Sequence, residues 1–131
     1  MTPELTVLAL AGLLQFGQFV AFSIEAQKTV GRRVAFSPRD EVAGQPLPGR
    51  AGRLQRAMNN HFEGLIIFTL AVVVVTMGQQ GSFFTALMAW IYLGARILYV
   101  PAYVRGWVPG RSIIWVVGMA ATVLMILAAL I

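Results

Sequence analysis

Arg56-Ala57-Met58-Asn59-Asn60-His61-Phe62-Glu63-Gly64-Leu65-Ile66-Ile67-Phe68-Thr69-Leu70-Ala71-Val72-Val73-Val74-Val75 carries all its charge at its front and none from Gly64 onward. A helix that crosses a bilayer core needs about 20 mostly apolar residues. Extended to about residues 51–77, this stretch meets that length with its polar head near one interface. Three more segments have the same character: about 5–27, 83–104 and 111–131. The pattern predicts an all-α, integral membrane four-helix bundle with up-down topology, a single domain over 1–131.

Composition agrees. Hydrophobic residues make up 58% of the 131 and charged residues 11%, where a soluble domain carries about 25% charged. A soluble core of this size cannot hide so much apolar surface, so lipid is the solvent for most of it. The N-terminal Met1-Thr2-Pro3-Glu4 lacks a basic lead, and its apolar run is too long for a signal peptide, so it is expected to remain as the first span.

The chain has no cysteine, which excludes disulfides, thiolate metal sites and a protein thiol nucleophile. One histidine and five carboxylates are too few for a metal cluster, so no metal is expected. The net charge of +5 does not imply nucleic acid, because no soluble basic face is available. Membrane lipid headgroups or an anionic ligand fit it better.

The ten basic residues are strongly segregated. Lys28, Arg32, Arg33, Arg39, Arg50, Arg53 and Arg56 lie in or beside the first loop, about residues 30–50. Arg96, Arg105 and Arg111 lie in or near the third loop, and the second turn, Gly78-Gln79-Gln80-Gly81-Ser82, has none. The positive-inside rule makes loops one and three cytoplasmic and puts both termini outside. A bacterial inner membrane is the expected location.

Ionisable groups within a span are costly and usually line an interior site. Arg56, Asn60 and Glu63 stand at i, i+4 and i+7 on span two, so they share one helical face. Arg96, Tyr99 and Tyr103 form a second stripe on span three, where Pro101 is positioned to kink the helix. Plainer roles exist for each: headgroup snorkelling for Arg56, an ion pair with Arg56 or Arg96 for Glu63, and an aromatic belt for the two tyrosines. His61 falls off the stripe and is expected to pack rather than catalyse, and Trp107 suits a headgroup anchor. Arg111-Ser112 opens span four after Pro109-Gly110. Arg111 serves either as a positive-inside flank or as an anion ligand. An arginine opposes the dipole at a helix N-terminus unless an anion sits there, which favours a site.

These motifs resemble the MAPEG superfamily of membrane-associated proteins in eicosanoid and glutathione metabolism, which includes the microsomal glutathione transferases. The resemblance spans almost the whole chain. It rests on Arg56-Ala57-x-x-Asn60-x-x-Glu63, on Arg96-x-x-Tyr99-x-x-x-Tyr103, and on the later Arg111-Ser112. It implies a homotrimer with glutathione bound between subunits near the cytoplasmic face. The positions it assigns to glutathione are Arg33, Arg56, Asn60, Glu63, Arg96, Tyr99 and Tyr103, with Arg111 and Ser112 beside the sulfur as the catalytic pair. The implied function is a glutathione transferase, or a peroxidase, acting on a lipophilic small-molecule substrate in detoxification. Two departures stand out: Gly64 follows Glu63 where members often have a nearby proline, and Asn59 stands where the prostaglandin synthase is basic. A catalytically silent MAPEG-like scaffold and a small four-span multidrug transporter are the alternatives.

Overall fold

The computed structural model describes residues 1–30, 49–106 and 110–131. It consists of four helices, α1 (Pro3–Val30), α2 (Gly49–Met77), α3 (Phe83–Val104) and α4 (Gly110–Leu130). All four are long and apolar enough to cross a membrane. Local chemistry marks several ends. At the start of α1, the Thr2 hydroxyl accepts from the Leu5 N–H at 3.2 Å, and Pro3 occupies the first helical position, where no N–H is needed. Ser82 and Thr85 form a reciprocal capping box at the start of α3. That helix runs through Pro101 and stops at Gly106, whose φ of 72° suits a residue without a Cβ.

α2 and α3 form the centre of the bundle. Each touches the other three helices, whereas α1 and α4 do not touch one another among the described residues. Phe68 of α2 stacks on Tyr92 of α3 with ring centroids 4.0 Å apart. Val7, Ala11, Val72, Val75, Met88, Ala89, Ala121 and Met125 fill the space around this pair. Small residues let the backbones approach closely, which drives helix association where lipid removes the usual hydrophobic gain. A Cβ added at Gly118 of α4 would stand 3.4 Å from the Ala95 Cβ of α3. The outer surface is apolar: Leu13, Phe16, Ile66, Leu70, Val116 and Leu127 are all exposed. That surface suits acyl chains as solvent.

One polar contact ties α1 to α3 at the end farthest from the first loop. The Thr85 hydroxyl donates to Glu4 Oε1, and Glu4 is only 2% exposed. Hydrogen bonds to charged groups are worth about 1.5–3 kcal/mol, and less where the unfolded reference state finds other partners. Glu4→Gln and Thr85→Val are expected to lower the thermal midpoint singly, and the double variant to lose less than their sum. A double-mutant cycle in detergent checks this; strict additivity would mean that the pair carries no coupling.

Candidate functional site

The second polar region lies where α2 begins, α3 ends and α4 begins. Arg53 Nη1 donates to the Val104 carbonyl at 2.9 Å, satisfying an acceptor left over at the end of α3. One turn further along α2, Arg56 Nε donates to the Tyr103 hydroxyl at 2.9 Å. The Arg111 guanidinium, in the first turn of α4, lies 4.7 Å from the centroid of that same ring. Tyr103 therefore joins the two cations, one through its oxygen and one through its face. Tyr99 packs beside it, with centroids 5.6 Å apart.

Deeper in the bundle, Arg96 is 3% exposed. Its Nε donates to His61 Nδ1 at 3.1 Å, its Nη1 donates to Asn60 Oδ1 at 3.0 Å, and the guanidinium lies 4.6 Å from the Tyr99 ring centroid. Its Nη2 has no partner among the described residues. A guanidinium can only donate, so the Asn60 oxygen must face it and the Asn60 amide nitrogen is left to donate elsewhere.

Asn60, Tyr99, Tyr103, Arg111, Ser112, Trp115 and Val116 line a cavity of about 460 Å³. Small-molecule pockets run from about 300 to 1,000 Å³. Its polar lining is rich in donors: an amide nitrogen, three hydroxyls and a guanidinium. Among the described residues, no carboxylate pairs with Arg56, Arg96 or Arg111. This chemistry suits a ligand with anionic and carbonyl groups.

The structure thus brings together five of the residues singled out from the sequence: Asn60, Tyr99, Tyr103, Arg111 and Ser112. Arg56 reaches the same place through Tyr103, while Arg96 lies behind the lining and touches two of its members, Asn60 and Tyr99. Glu63 does not join them. It is exposed on the outer face of α2 and pairs with neither Arg56 nor Arg96. Arg33 and Trp107 lie outside the described residues. Sequence reasoning missed Trp115 and Val116 in the lining and the bond from Arg96 to His61. Trp115 stands four residues after Arg111, so helical spacing alone would have found it.

Separating the two attachments of Tyr103 tests this geometry. Tyr103→Phe removes the acceptor for Arg56 and keeps the ring under Arg111, whereas Tyr103→Leu removes both. Affinity for a small anionic peptide is expected to fall about threefold in the first variant and roughly tenfold or more in the second. Titration calorimetry reads both, and equal losses would leave the ring face without a role.

No curated protein and no solved structure matched the chain. A family model does match, over residues 5–131, which is essentially the whole sequence. The chain therefore belongs to the MAPEG family, a group of membrane proteins of the glutathione and eicosanoid metabolism type.

Proposed function

We propose that this protein is a glutathione-dependent membrane transferase that directs a thiolate at a lipophilic electrophile, with reduction of lipid peroxides as a second outcome of the same site. One observation carries the reading. Three arginines, Arg56, Arg96 and Arg111, gather at one end of a membrane bundle with no carboxylate to neutralise them among the described residues. Uncompensated cations are expensive in an apolar medium and are retained where a ligand supplies the opposite charge. That balance also argues against a transporter of hydrophobic cations, whose binding chamber needs a carboxylate; the buried one among the described residues, Glu4, is held by Thr85 at the opposite end of the bundle.

The residues present fit a glutathione-like tripeptide. Arg56, Asn60 and Tyr99 would hold its carboxylates and amides, with Tyr103 between the two flanking arginines. Bound glutathione would supply the sulfur nucleophile, because the chain itself has no cysteine. Arg111 and Ser112, together with the positive end of the helix dipole at the start of α4, would favour negative charge beside them. A free thiol has a pKa of about 8.5, and each unit of depression requires about 1.4 kcal/mol of preferential stabilisation of the anion. One partly buried guanidinium can provide about one to two such units. Trp115 and Val116 supply an apolar wall for the lipophilic partner.

The exposed position of Glu63 supports a homotrimer with sites between subunits, where a neighbouring chain would meet that carboxylate. Within each subunit, contacts between Glu4 and Thr85 and between Arg111 and Tyr103 support four spans of alternating direction. The proposed setting is a bacterial inner membrane, with one domain over 1–131, loops one and three cytoplasmic and both termini outside. Arg33 is proposed to complete the glutathione site from the first loop.

The direct test is binding and turnover with glutathione and a lipophilic aryl halide in reconstituted protein. Thioether formation supports the transferase. Failure to bind at millimolar glutathione, with the assembly intact, would instead favour a catalytically silent scaffold. Arg111→Ala is expected to abolish the ultraviolet absorbance of bound thiolate and to leave glutathione binding largely intact. An unchanged thiolate signal would remove Arg111 from this role.

A further inference from the structure

His61 is fully buried on α2, in contact with α1 on one side and α3 on the other. Its two ring nitrogens have unlike partners. Nδ1 lies 3.1 Å from Arg96 Nε, a group that only donates. Nε2 lies 3.0 Å from the Ala11 carbonyl oxygen, which only accepts. These partners allow one arrangement: a neutral imidazole with its proton on Nε2. The ring then spends its donor on α1 and its single lone pair on Arg96.

Arg96 passes this constraint toward the cavity. Its guanidinium is planar and rigid, so fixing Nε also fixes where both terminal nitrogens point. Nη1 meets Asn60 Oδ1, and the face of the plane meets Tyr99. Both of those residues line the cavity, whereas His61 and Arg96 do not. Without the bond to His61, Arg96 could rotate about its last torsions, and the Asn60 amide would no longer be held with its nitrogen presented to a ligand.

We infer that His61 is a positioning residue, a brace from the α1 backbone through Arg96 that sets the polarity of Asn60 and the placement of Tyr99 in the cavity wall. The inference deepens the proposed glutathione site and rests on that reading for its functional consequence. The brace itself can be tested without any ligand.

His61 is the one histidine of the chain, so its imidazole is a unique spectroscopic probe. Nitrogen NMR of labelled full-length protein in nanodiscs is expected to show a single tautomer, protonated at Nε2 and accepting at Nδ1. Arg96→Lys, which lacks the Nε donor, is expected to shift the Nδ1 resonance. A mixture of tautomers, or a spectrum unaffected by Arg96→Lys, overturns the brace. The functional arm compares two variants. His61→Asn keeps an acceptor near the Nδ1 position, and His61→Phe keeps the ring shape with no polar atom. His61→Phe is expected to weaken glutathione binding roughly tenfold and His61→Asn only about threefold, with similar thermal midpoints for both. Wild-type affinity in His61→Phe overturns the positioning role. So do equal losses that track a fall in thermal midpoint, since they indicate packing alone. If the wild-type protein binds no glutathione, the proposed function fails while the tautomer measurement still decides the brace.

Discussion

A guanidinium enclosed in an apolar bundle is costly unless polar groups and ring faces compensate for the water it has lost. Arg96 is that group. Histidine, asparagine and a tyrosine ring occupy most of its surroundings, and these come from two helices that are themselves tied to α1 and α4. The requirement shapes the whole lower half of the molecule. Around Arg96, polar side chains that a membrane protein would otherwise exclude bond to one another, with the Nη2 edge left without a partner among the described residues.

The upper half follows the opposite rule. From Phe68 and Tyr92 outward, the interior of α2, α3 and α4 is mostly alanine, valine, leucine and methionine, with Thr122 buried among them and the Glu4 and Thr85 contact as a polar tie to α1. Tyr92 stands at the boundary, its ring on the apolar stack and its hydroxyl without a partner among the described residues. An apolar block thus supports a polar end at which Arg56, Arg96 and Arg111 pair with no carboxylate among the described residues.

Much of this was legible in the residues alone. Apolar run length and the placement of glycine, proline and arginine predicted four spans, and the described residues form four helices long and apolar enough to cross a membrane. The pairing of Tyr99 with Tyr103 followed from spacing along one helix, because side chains four apart share a face, whereas their grouping with Arg111 was implied only by the resemblance. What spacing could not provide was the direction in which each stripe faces. Arg56, Asn60 and Glu63 share one face of α2, yet the neighbours of that helix enclose Asn60 and leave Glu63 on the outer surface. His61, one residue from Asn60, looked off-stripe. The long Arg96 side chain reaches both because it approaches from a second helix, and no periodicity within α2 contains that information.

The close approach of α4 to α3 at Gly118 has an effect at a distance. Gly118 lies seven residues after Arg111, about 10 Å along the helix, and its backbone meets the Ala95 side chain. One methyl group could be accommodated there, but a branched or long side chain would act as a wedge between the two helices. Prising them apart would carry Arg111 away from the Tyr103 ring without altering any residue of the cavity lining. The width of the polar end is therefore gauged by a spacer two turns away, which should tolerate alanine but not a larger side chain.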